Sequence, residues 1–157
     1  MYENAIRAAR KESVPDHLKR VSALWARFNK VAVQNPNAWI QDAFTAAEIR
    51  TPTDTNRRIS FPYTKMMNAN MVVDMGAAII LCSVEKAKEL GIPEEKWVYP
   101  VAGVQGYDHF SASVRDNFHS SPGLGLVGKR VMELAKVSPE EIDYVDLYSC
   151  FPSAVQI

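Results

Sequence analysis

The chain has 157 residues, 47% of them hydrophobic, with 18 lysines and arginines against 18 aspartates and glutamates. This balance leaves no global field to draw in nucleic acid or an anionic membrane, so an anionic ligand must be held locally. Length and apolar content allow one buried core in a globular, soluble chain, as one domain or one domain with an attached helical segment.

No apolar run reaches the length of a membrane span, and Met1-Tyr2-Glu3-Asn4 lacks the basic and apolar regions of a signal peptide. The expected compartment is the cytoplasm. Cys82 and Cys150 show no C-x-x-C spacing and no histidine at ligand spacing, which predicts reduced thiols, no disulfide framework and no metal site.

Residues 3–11 predict a short helix. Ser13-Val14-Pro15-Asp16 supplies an N-cap, an early proline and a first-turn acid for a second one. Leu18, Val21, Leu24, Trp25, Phe28 and Val31 then recur at helical spacing as one core-facing stripe. From 34 to 66, Asn35-Pro36, Thr51-Pro52 and Phe61-Pro62 interrupt any long element and predict a loop-rich excursion.

From Val72 the pattern turns α/β. Ala77–Cys82 has no polar alternation, as in a strand covered on both faces. Ser83 caps a short helix ended by Gly91, and Trp97–Val104 reads as the next strand, with Pro100 placing it at an edge or bulge. Ser121-Pro122 opens a helix buried through Leu124, Val127, Val131 and Leu134, whose glycines at 123, 125 and 128 weaken it unless something packs closely. A capping box at Ser138–Glu141 precedes a third strand, Tyr144–Tyr148, and Ser153–Ile157 starts an apolar helix without a stop signal, so the natural protein is expected to continue.

Three segments carry a family resemblance over most of the chain. Asn35–Ile49 is similar to an N-P-Y-x-x-F-x-x-x-x-x-x-E-[IV] loop stretch, and Asn68-Ala69-Asn70-Met71-Val72-Val73-Asp74-Met75-Gly76-Ala77-Ala78 to N-A-S-x-x-x-D-G-A-A-A. Asp146-Leu147-Tyr148-Ser149-Cys150-Phe151 falls where N-E-A-F or H-D-C-F follows a strand. These resemble the thiolase superfamily, in particular its sterol-carrier-protein branch. Met75, Asn70 and Tyr148 depart from the family pattern and suggest a divergent subgroup.

The resemblance implies a partial thiolase fold. A helical loop-domain segment (1–58) would precede the truncated opening βαβαβ part of the C-terminal half (59–157). It implies a parent acyl-CoA acyltransferase, like an acetyl-CoA acetyltransferase, working in lipid metabolism on coenzyme A thioesters with no covalently bound cofactor. The full protein would be a homodimer or hetero-oligomer. The family's nucleophilic cysteine, Gly-His-Pro histidine and second cysteine have no counterpart here, so the chain should be inactive without the missing N-terminal half and C-terminal remainder.

The chemistry needs an activated thiolate, a base and donors aimed at the thioester oxygen. By resemblance Tyr148 and Cys150 occupy the oxyanion-site motif, and Asn68 and Asn70 the loop that approaches the pantetheine arm. Arg57, Arg58 and Lys65 flank the loop excursion as candidates for CoA phosphates. His109, within Tyr107-Asp108-His109-Phe110, is a candidate for an acyl pocket, as is the nearby Phe118-His119. Two other readings stay open: a noncatalytic CoA-binding or structural partner subunit, and a small cysteine hydrolase using Cys150 with His109 or His119 as base and Asp108 as orienting acid.

Overall fold

Local capping signals set the helices of the computed structural model, which describes residues 1–157. Helix α1 (Tyr2–Ala9) is followed by α2 (Val14–Ala32), whose N-cap Ser13 accepts the Asp16 N–H at 3.3 Å. The short α3 (Ala46–Arg50) opens with a capping box, the Thr45 hydroxyl accepting the Glu48 N–H while the Glu48 carboxylate accepts the Thr45 N–H. Ser83 caps α4 (Val84–Glu89), Ser121 caps α5 (Pro122–Ala135), and α6 (Pro152–Gln156) starts at a proline. Gly91 follows α4 at φ +65°, a conformation that suits glycine. The Ser138 capping box forms, but it opens only a single turn at Pro139–Glu141.

A two-stranded antiparallel hairpin interrupts the loop-rich stretch: β1 (Arg58–Ser60) pairs with β2 (Tyr63–Thr64) around a cis Phe61–Pro62 bond. Against it lies a small core of Ile49, Tyr63 and Met67, with Leu18, Trp25, Ala26, Phe44 and Met66 packed around them. Buried Asn56 locks this region, its amide donating to the carbonyls of Glu48, Ile49 and Thr51 and its oxygen accepting the Met66 N–H at 2.9 Å. The expected stripe on α2 is covered only in part: Val21 is buried, but Phe28 and Val31 are exposed. Five-residue α3 is too short to cover a nineteen-residue helix.

The chain is mixed α/β, mostly helical with this one small sheet. The expected strands at Ala77–Cys82, Trp97–Val104 and Tyr144–Tyr148 lie in irregular backbone without ladder partners. The physical reason is local. A double-covered strand needs a sheet neighbour and two packed faces, and these runs have neither, with Ile79, Ile80, Val98 and Tyr144 all more than four-fifths exposed.

The stripe expected on α5 suffers the same way: Leu124 and Leu134 are exposed because no sheet face lies beneath them. Of that helix's glycines only Gly123 is closely approached, since a Cβ there would meet Asp108 Oδ1 at 2.7 Å. In all, 13 of 157 residues are buried and 12,299 Å² of surface is accessible. A compact chain of this mass exposes about 7,900 Å², so much of this chain's apolar surface stays open.

What gathers the chain instead is polar. Helices α1 and α6 pack together, and Gln156 Nε2 on α6 donates to Glu3 Oε1 on α1 at 2.8 Å. Glu3, 4% exposed, is also bonded by His17 on α2 and by the Tyr63 hydroxyl on β2.

Two outcomes follow from this packing. Asn56→Ala should lower stability by roughly 2–3 kcal/mol, because the Glu48 and Thr51 carbonyls and the Met66 N–H lose this partner while Ile49 keeps the Thr64 hydroxyl; urea denaturation followed at Trp25 reads it, and a change under 1 kcal/mol would contradict the assignment. The exposed apolar runs should bind anilinonaphthalene sulfonate and drive self-association, so a sedimentation run showing a compact, dye-silent monomer would contradict the open structure.

Candidate functional site

The hairpin leads directly into the first candidate loop. Arg57, Arg58 and Lys65 are exposed on or beside it, and the Lys65 N–H donates to the Arg57 carbonyl at 2.9 Å, so the three cations lie close along one ribbon. A single turn at Lys65–Met67 then carries the chain to Asn68. The Asn68 amide donates to the Thr64 carbonyl at 2.8 Å, and this fixes its oxygen as a buried acceptor with no donor. Asn70 is exposed, its oxygen accepting the Val72 N–H at 3.2 Å, as a loop-capping asparagine does.

The second candidate segment arrives from the far end of the sequence. The Ala69 N–H, between the two asparagines, donates to the Cys150 carbonyl at 3.0 Å. Phe151 stacks on Tyr63 of β2, with ring centroids 6.0 Å apart and planes 13° from parallel, and the next residue, Pro152, is buried at the start of α6. Tyr148 is 88% exposed, and its hydroxyl lies 3.2 Å from Cys150 Sγ. That hydrogen bond to the sulfur, followed by the sulfur's charge, raises the Tyr148 phenol above its ordinary range.

His109 stands elsewhere, in an open cleft of about 670 Å³ lined by Tyr107, Asp108, His109, Phe110, Arg115 and Asn117 among others. Asp108 organises this cleft. Its carboxylate accepts from the Ser121 hydroxyl, from the Gly123 N–H at 3.1 Å and from Arg115 at 3.0 Å, so it caps α5 from outside the helix. The Ser121 hydrogen bond, with further help from Gly123 and Arg115, holds the Asp108 carboxyl below the usual range. Tyr107 and Phe110 give the cleft an aromatic wall, their centroids 5.5 Å apart.

The structure therefore ties the Asn68–Asn70 loop to the Tyr148–Cys150 segment through one backbone hydrogen bond and leaves His109 in a separate cleft. The polar partner of Cys150 Sγ is a phenol and not an imidazole. Both cysteines are free thiols, and no group of three histidine, cysteine or acidic side chains is arranged to hold a metal ion. No helix is long and apolar enough to cross a membrane. Sequence reasoning missed Tyr63 and Glu3, which seat Phe151 and α6. Their signal was an acid in an amphipathic helix and a tyrosine beside a proline, which alone announce nothing.

No family model matches the chain. An acetyl-CoA acetyltransferase of Methanocaldococcus jannaschii is 26% identical over 87 residues, 55% of this chain and 22% of that protein. Among solved structures, a monomeric SCP2-thiolase like protein type 1 from Mycobacterium smegmatis superposes with a TM-score of 0.80 at 32% identity, over 98% of this chain and 34% of that one. The chain thus spans about a third of the length of the one relative and about a fifth of the other. The expected partial thiolase fold agrees with this superposition.

The Tyr148–Cys150 contact is open to a direct check. Because the sulfur raises the phenol, Cys150→Ala should bring the Tyr148 titration down towards the ordinary tyrosine range, read from its ring carbon resonance against pH. An unchanged titration would mean that the two groups do not meet in solution.

Proposed function

This chain is related to the thiolase superfamily over part of the length of its members, and from that premise we propose that it is a portion of an acyl-CoA acyltransferase. Within that parent it supplies the loops that receive the coenzyme A arm and face the thioester oxygen. The nucleophile and the base come from the rest of the parent. The observation that carries this reading is the hydrogen bond from Ala69 to Cys150, which joins two segments 81 residues apart in sequence.

The side chains around that bond suit a CoA thioester. The Asn68 oxygen is buried without a donor, and a pantetheine amide N–H has the right chemistry to supply one once the loop opens to admit it. Arg57, Arg58 and Lys65 form an exposed cationic ribbon beside it, and guanidinium and ammonium groups are the usual partners of phosphates. Tyr148 presents a hydroxyl donor at the mouth of the loop. To meet an oxyanion or its bound water, the hydroxyl must turn from Cys150 Sγ towards the ligand.

The cysteine-hydrolase reading fares less well. A nucleophilic thiol needs a neighbouring base, and a phenol held above its ordinary range stays protonated at neutral pH. Cys150 meets that phenol, while His109 lines the other cleft.

The experiment is a titration of the isotope-labelled chain with acetyl-CoA, following the amides of Asn68, Ala69, Asn70, Cys150 and Phe151. Shifts at both segments with no release of free CoA are expected. Silence at both segments would overturn the proposal, and CoA release abolished by Cys150→Ser would move it to the hydrolase.

A further inference from the structure

Two buried titratable groups, Glu3 and His17, lie outside the candidate loops. His17 is 1% exposed, and each of its ring nitrogens faces a carboxylate: Nε2 meets Glu3 Oε1, and Nδ1 meets Glu12 Oε2 at 2.7 Å. A ring that donates from both nitrogens carries both hydrogens, so the geometry is that of an imidazolium between two ionised acids. Arg20 Nη2 also lies 3.2 Å from Nδ1, but it already donates to Glu12 Oε2 at 3.0 Å, and the shorter carboxylate contact assigns the Nδ1 hydrogen.

Every charged group around the ring has a named place. Glu3 comes from α1, Glu12 from the connection, Arg20 from the next turn of α2, and Tyr63 from β2 through Glu3. Arg10 and Arg20 bind Glu12 from outside at 2.9 and 2.7 Å, and Arg7 donates to the Glu12 carbonyl at 3.0 Å. Gln156, with its 2.8 Å bond to Glu3, and Tyr63, through Ser153, link this cluster to α6, and α6 follows directly on the Cys150–Phe151 turn.

We propose that Glu3, His17 and Glu12 form a protonation-controlled latch. While both acids are ionised and the ring carries both hydrogens, Glu3 is held in place to receive Gln156 and Tyr63. The turn at Cys150–Phe151 then stays seated on Ala69 and Tyr63. Adding a proton to either acid, or taking one from the ring, leaves a buried group without its counterpart and frees α6. This inference stands on the cluster's geometry and not on the acyltransferase reading.

The acid limb has a defined sign. The Arg20 hydrogen bond is the chief cause that lowers Glu12 from 4.5 to about 2 in the folded chain. Its contribution is therefore complete above pH 4.5 and fades as pH falls from there towards about 2.

Hydrogen exchange at the Ala69 amide, which donates to Cys150, reads the latch directly once corrected for intrinsic rates. Protection should be steady near neutral pH and fall in acid. The Val21 amide should stay protected throughout. A pH-independent Ala69, an Ala69 that opens only together with Val21, or a ring with a single hydrogen while Ala69 is protected would each overturn the proposal. Gln156→Ala keeps the Glu3–His17 pair and removes the direct tie from Glu3 to α6, leaving the Tyr63–Ser153 contact. Ala69 should then exchange on the order of tenfold faster with Val21 unchanged, and unaltered exchange at Ala69 would overturn the latch.

Discussion

A carboxylate and an imidazole buried against each other, Glu3 and His17, set the terms on which the ordered part of this chain assembles. Removing two charges from water costs several kcal/mol per ion unless each finds a partner and its remaining hydrogen-bonding capacity is filled. Here the partners come from α1, α2, β2 and α6, so leaving out any one exposes the others to that cost. Apolar contact alone would not specify this arrangement, because the core proper is three residues, Ile49, Tyr63 and Met67. Tyr63 belongs to both systems. Its ring fills the core and stacks on Phe151, while its hydroxyl is bound to Glu3, and burial followed by that carboxylate raises its phenol.

What could be read from the sequence is what depends on neighbours a few residues away. Ser13, Ser83 and Ser121 each cap the helix that the residues after them predicted, since a capping oxygen reaches an N–H three residues on. His17 gave no such sign. Its partners lie 14 residues back at Glu3 and 5 residues back at Glu12, and the cluster closes through Tyr63, 60 residues from Glu3, and Gln156, 153 residues from Glu3. Nothing in one sequence pairs those positions. Asn56 was invisible for a similar reason, because an asparagine in a Thr-Asp-Thr-Asn run reads as a loop residue and not as the bracket of a small core.

The strands show the opposite relation between pattern and structure. Ala77–Cys82 is apolar without alternation, and this pattern reports the surroundings a segment is suited to, not those it has. With no neighbouring edge, its main-chain groups face water and its side chains stay exposed. The same holds for Trp97–Val104 and Tyr144–Tyr148. The agreement with the solved thiolase-like structure extends over 98% of this chain, so the path of the backbone suits these runs even where no ladder forms.

That difference bears on the candidate site, because its two loops are anchored unequally. Asn68 hangs from the hairpin and the Asn56-bracketed core, and Cys150 is held by Ala69 and, through Phe151, by Tyr63. Tyr148 lies two residues beyond the last of these anchors, on a run with no strand neighbour, and is 88% exposed. Stabilising an oxyanion requires a donor placed within a few tenths of an ångström of where the charge develops, and that placement must exist before the reaction begins. A phenol fixed on one side only does not meet the requirement. Pairing of the 144–148 run with a neighbouring strand would supply the second anchor, so in the proposed acyltransferase the completion of the sheet and the completion of the oxyanion site are one event. The latch at Glu3 and His17 secures the side of the site that this chain can secure by itself.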